Sequence, residues 1–119
     1  MVLVDSSVWI DHFRSENKKL VTLLLNDLVL VHPFVIGEIA CGQVKNRKEI
    51  IGMLRRLSFA NMASFEEILF YIEEHDLSRK GLGLVDVHLL ASVKLSQAKL
   101  WSLDKALVHA ATTLKVVFQ

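Results

Sequence analysis

The chain has 119 residues and a net charge of +1, with 14 Lys and Arg against 13 Asp and Glu, so it carries no general basic coat for nucleic acid. Any nucleic-acid contact must be confined to a local surface. At this length one domain covering residues 1–119 is expected, burying about two-thirds of its unfolded surface. The 52% apolar content predicts a core with both sheet faces covered, or a further apolar face lent to a second copy or a permanent partner. No run reaches the roughly 18 apolar residues of a membrane span, and no basic segment leads into a cleavable apolar one. A cytoplasmic protein is expected. The single cysteine, Cys41, excludes an internal disulfide and reads as a small packed residue.

In chain order, Val2, Leu3 and Val4 form a short buried strand that ends at Asp5. Trp9, Ile10 and Phe13 at helical spacing then predict a helix over 6–14, with Ser6 or Ser7 as its N-cap. A second amphipathic helix is expected over 15–27 and a second strand over 28–31, stopped by His32 and Pro33. Helices follow over 34–42, with Glu38 one turn in, and over 46–57, the latter basic on its polar side. Residues 57–62 read as a short strand or extended connection. Ser64 and Glu67 form a capping box that opens a helix running to about His75. Ser78 to Gly83 is a basic loop leading into a central helix, apolar nearly all round, over 86–93. Lys99 to Leu103 is the next strand, Asp104 stands at its end, residues 105–112 make a last helix and Val116 to Phe118 a final strand. Short strands alternating with helices imply parallel pairing, hence a three-layer α/β/α fold around four to five short strands.

Asp5 and Asp104 fall at strand ends, while Glu38 and Asp86 lie near helix starts, so all four acids fit one edge of one sheet. In open α/β sheets that edge, at the carboxyl ends of the strands, is where ligands bind. Two converging carboxylates repel by about 4 kcal/mol at 4 Å and an effective dielectric near 20, so the cluster needs cations or protons. Oxygen ligands select a hard ion, and Mg²⁺ or Mn²⁺ at such a cluster can activate water against a phosphodiester. Relief of that repulsion predicts that Asp5→Asn or Asp86→Asn leaves the fold intact or more stable. Each acid also has a plain structural reading as a helix cap or a dipole partner.

Other chemistry is weaker. His12, His32, His75, His88 and His109 include no pair at the spacing of a helical zinc site, and Ser6, Ser7 and Ser102 lack a base. Ser6 and Ser102 remain as polar support beside a metal. Trp9 and Trp101 read as core or interface. Arg14, Arg79, Lys80 and Lys105 are the candidate phosphate contacts, each lying near the predicted edge.

Four blocks carry a resemblance across the chain: Val4 to Asp11, Val35 to Ile39, Gly83 to Ala91 and Leu100 to Lys105. In this order they resemble the PIN-domain ribonucleases, specifically VapC-type toxins of prokaryotic toxin–antitoxin pairs. The resemblance implies a parallel sheet between helices and a Mg²⁺- or Mn²⁺-dependent endoribonuclease cutting transfer or ribosomal RNA. It further implies a homodimer inhibited by a cognate antitoxin protein. Asp5 and Asp86 match the principal metal ligands, Glu38 and Asp104 the remaining acids, and Ser6 and Ser102 polar positions beside the metal. Two readings compete: a non-catalytic partner-binding module, and a metal-dependent nuclease acting on DNA.

Overall fold

The computed structural model describes residues 1–119. Its strands are β1 (Val2–Val4), β2 (Val29–Val31), β3 (Ser58–Phe59) and β4 (Lys99–Trp101). Its helices are α1 (Ser6–Arg14), α2 (Lys18–Leu25), α3 (Pro33–Cys41), α4 (Arg47–Arg55), α5 (Phe65–Glu74), α6 (Leu84–Ser96) and α7 (Lys105–Thr113).

The four strands form one parallel sheet in the order β3-β2-β1-β4. Every residue of β1 and β2 is buried. Because successive side chains point to opposite faces, an unbroken buried run means that helices cover both sides, which is the expected three-layer arrangement. The chain steps from β1 to β2 to β3 in one direction, then returns to lay β4 on the other side of β1. That reversal opens a crevice at the carboxyl ends of β1 and β4.

The core is one cluster built around Leu3, Trp9, Leu20, Ile39, Leu54, Ile68, Leu89, Leu90 and Leu107. Seven consecutive residues of α6, Val87 to Val93, are buried, as the all-round apolar pattern of that helix requires. Trp9 is wholly buried, whereas Trp101 is half-buried and packs on Phe118 at a centroid distance of 5.3 Å.

Three expectations are corrected. Asp5, rather than Ser6 or Ser7, is the N-cap of α1, because its carboxylate accepts from Ser6 N while its own backbone is still extended. The final strand shrinks to a single bridge between Leu100 and Val117, since Lys115 takes a left-handed turn (φ 62°) immediately before it. Cys41, the last residue of α3, is exposed rather than packed.

Candidate active site

Asp5 leaves the end of β1 with its amide donating to Trp101 O on β4 at 2.9 Å, so the carboxylate sits directly above the crevice. It is 6% exposed, yet meets no lysine or arginine. Its charge is instead met by neutral donors. Oδ1 accepts from Ser6 N at 2.8 Å, and Oδ2 accepts from both the Ser7 and the Ser102 hydroxyls at 2.8 Å. Ser7 Oγ receives Leu103 N at 3.0 Å, and Ser102 Oγ receives Asp104 N at 3.0 Å. Two backbone amides of the β4–α7 connection are thus relayed through two hydroxyls onto one carboxylate oxygen. Asp104 is in turn the N-cap of α7, accepting from Leu107 N at 3.0 Å.

Glu38 lies in the second turn of α3, where its Oε1 accepts from the Ser6 hydroxyl at 3.0 Å. Asp86, in the first turn of α6, accepts from Gly83 N at 2.9 Å, the only half of a capping box that a glycine N-cap allows. Partial burial pushes the Glu38 carboxyl up; the Ser6 hydrogen bond opposes this, and the charges of Asp5 and Asp86 add to the rise. Partial burial likewise pushes Asp86 up, opposed by the Gly83 amide and reinforced by Asp104 and Asp5. The four carboxylates therefore share one electrostatic field, with Asp5 acting on both helical acids and Asp86 linking the field to Asp104.

These side chains offer oxygen donors of one sign with no basic partner, which is the donor chemistry of a hard divalent cation. No three acidic, histidine or cysteine side chains are gathered into a ready-made cage. A cation held here would need water or substrate oxygens to complete its shell.

The phosphate candidates divide. Arg14 lines a groove of about 760 Å³ together with Glu38, and Lys105 follows Asp104 at the exposed start of α7. Lys80 opens on a separate hollow with Leu77 and His109, while Arg79 occupies an exposed left-handed turn (φ 61°). Neither Arg79 nor Lys80 bonds to Asp86.

The PIN domain profile matches residues 2–112, nearly the whole described fold. The chain belongs to the PIN domain family. Among curated proteins, this PIN domain is 42% identical over 111 residues to Ribonuclease VapC32 of Mycobacterium tuberculosis, in strains CDC 1551 / Oshkosh and ATCC 25618 / H37Rv. The alignment covers 92% of this chain and 90% of the relative. Among solved structures, PAE2754 from Pyrobaculum aerophilum superposes with a TM-score of 0.62 at 16% identity, covering 95% of this chain and 85% of that one, a likeness of fold.

Sequence reasoning missed two features of this PIN domain. Ser7 holds Asp5 as firmly as Ser102 does; a hydroxyl two residues past a strand-end acid was the available signal. His32 and His88 are both buried, with ring centroids 6.1 Å apart. His32 Nδ1 accepts from Phe34 N at 3.0 Å, capping α3, and burial, aided by the neighbouring His88, lowers its pKa to about 4. Burial lowers that of His88 as well. Nothing in their sequence spacing signals that pairing.

Proposed function

We propose that the protein is the toxin of a VapBC-type toxin–antitoxin pair, a Mg²⁺- or Mn²⁺-dependent endoribonuclease that acts in the cytoplasm as a homodimer and is silenced by an antitoxin protein. One observation carries the reading. At a topological switch point without a single basic partner, burial and the charge of Asp5 raise the proton affinity of Glu38 and Asp86, and Asp104 adds to that of Asp86. The 42% identity to a protein named as a ribonuclease, spanning most of both chains, supports RNA as the substrate class.

In this reading Asp5 and Asp86 hold the divalent ion, with Glu38 and Asp104 completing the acidic edge. Bound there, the ion supplies Lewis acidity that favours a hydroxide nucleophile and stabilises charge on the cleaved phosphodiester. The chain's own groups do the rest. Ser6, Ser7 and Ser102 hold the carboxylate of Asp5 in one orientation, in which it would ligate the ion. Glu38, oriented by the Ser6 hydroxyl and with its proton affinity raised, is suited to take a proton from an attacking water. Arg14, beside Glu38 in the same groove, is placed to meet an RNA phosphate. Arg79, Lys80 and Lys105 are secondary contacts for a longer substrate.

The test is digestion of labelled total RNA and, in parallel, single- and double-stranded DNA by partner-free protein. Each is run with Mg²⁺ or Mn²⁺, with chelator, and as Asp86→Asn. Discrete RNA fragments that vanish with chelator and in the variant are expected. Cleavage of DNA alone, or none by folded, metal-supplied protein, would overturn the proposal.

A further inference from the structure

An acidic cleavage edge repels the polyanion that it is read to cut, so affinity for RNA must come from cations elsewhere on a chain whose net charge is only +1. Those cations are concentrated in one place. Between positions 45 and 56 stand Lys45, Arg47, Lys48, Arg55 and Arg56, with Glu49 as the sole acid, five of the chain's 14 basic residues. All five are exposed, and none is in an ion pair. The apolar side of α4 is turned inward through Ile50, Ile51 and Leu54, which leaves its charged side to solvent.

The placement of α4 is fixed relative to the carboxylates. Arg47 donates from Nε and Nη2 to Ala40 O at 3.2 and 2.7 Å, tying the start of α4 to the last turn of α3, the helix that carries Glu38. The groove beside Glu38 runs past Arg14 to Lys45 and Asn46, so it leads from the acidic edge to the basic helix. A second hollow, about 360 Å³, is lined by Ala40, Arg47, Lys48, Ile51, Gly52 and Arg55, with no acid among them.

We propose that the exposed face of α4, through Lys48 and Arg55, together with Lys45 just before the helix, binds RNA backbone phosphates away from the cleavage point and supplies the affinity that the carboxylate edge withholds. This rests on the nuclease reading. RNA is favoured over an acidic protein segment because the face is mainly cationic and continuous with the groove at Glu38.

Fluorescence anisotropy of a labelled single-stranded RNA oligonucleotide, titrated with full-length protein in chelator across a salt series, tests it. Lys48→Gln/Arg55→Gln should weaken binding about tenfold and lower the slope of log affinity against log salt by about 1.4, two contacts at about 0.7 each. Lys18→Gln/Lys94→Gln, the same charge change at exposed positions outside α4, should leave affinity within about twofold. Equal losses in the two pairs, or no loss in the first, overturn the inference. So does loss of binding to a polyglutamate peptide with RNA affinity intact, which would assign α4 to an acidic protein segment. Cleavage of the same RNA with Mg²⁺ separates the layers. Wild-type protein that cuts while the α4 pair binds normally sinks the α4 inference alone; protein that binds through α4 and never cuts sinks the nuclease reading.

Discussion

Ser102 donates its hydroxyl proton to Asp5 Oδ2 at 2.8 Å across 97 residues of chain, and Ser102 Oγ in turn accepts from Asp104 N at 3.0 Å. The contact joins the ends of β1 and β4, the two strands that flank the crevice. Ser7 repeats the pattern with Leu103 N, so the two hydroxyls converge on one carboxylate oxygen. Their own separation, 3.4 Å, is left without a shared proton, because each has given its proton to Asp5.

Removal of either hydroxyl strands a backbone amide and frees a lone pair of Asp5. Ser102→Ala should cost about 1–3 kcal/mol in urea unfolding, as for other buried partners left unsatisfied. Since Ser7 and Ser102 share one acceptor, the double alanine variant should depart from the sum of the singles by more than about 0.5 kcal/mol. Strict additivity would show that the two hydroxyls do not act as a unit.

Neutralising the acids separates them by position. Burial and neighbouring charge hold the Asp86 proton tightly, so Asp86→Asn, which keeps an oxygen for Gly83 N, should raise the thermal midpoint at pH 7 by of the order of a few degrees. Asp5→Asn behaves otherwise. It weakens the cap of α1 and replaces an acceptor of two hydroxyls with a donor, so it should destabilise by about 1 kcal/mol or more. The sequence expectation that both changes are neutral or stabilising is therefore carried forward as a prediction for Asp86 alone. Both should abolish metal-dependent cleavage; a fully active Asp5→Asn would remove that residue from the machinery.

Cation binding should appear in stability without any assay of activity. Glu38 and Asp86 have folded-state pKa values raised above those of the unfolded chain. Their contribution is therefore present at low pH and is lost as pH rises through the folded values. Mg²⁺ or Mn²⁺ should restore it, raising the thermal midpoint at pH 7 by several degrees at saturating concentration and much less near pH 4. Equal shifts at the two pH values, or an undiminished shift in Asp5→Asn/Asp86→Asn, would show that the ion binds elsewhere.

His32 sets the acid limb with the opposite sign. Its pKa falls from 6.5 to about 4 on folding, so the native state holds fewer protons than the unfolded chain. Stability is complete above pH 6.5 and is lost as pH falls from there through 4, by at most about 3 kcal/mol from this one group. His32→Asn retains a capping acceptor for Phe34 N but cannot titrate, so it should flatten chemical denaturation midpoints measured between pH 6.5 and 4. An unchanged acid limb would place the loss at other groups.

The sequence by itself determined the local elements and the four blocks that placed the chain among PIN domains. Apolar, mostly β-branched triplets such as Val2 to Val4 and Val29 to Val31 read as strands buried on both faces, and Ser64 with Glu67 writes the start of α5 in four residues. It also placed Asp5 at a strand end, since an acid that follows an apolar run marks where the strand stops; β4, expected to run to Leu103, stops at Trp101, and Asp104 stands three residues on as the N-cap of α7. Periodicity, however, tells a residue which face it takes and not what it meets there. The strand order that sets β4 beside β1, the convergence of Ser7 and Ser102 on Asp5, and the burial of His32 against His88 were decided by contacts far apart in the chain. So was the reduction of the last strand to one bridge at Val117, which depends on a left-handed turn at Lys115 that residue type does not announce. Tertiary structure also turned a basic helix into a neighbour of the acidic edge, because only the packing of α4 on α3, pinned by Arg47 at Ala40, brings those charges within reach of one substrate.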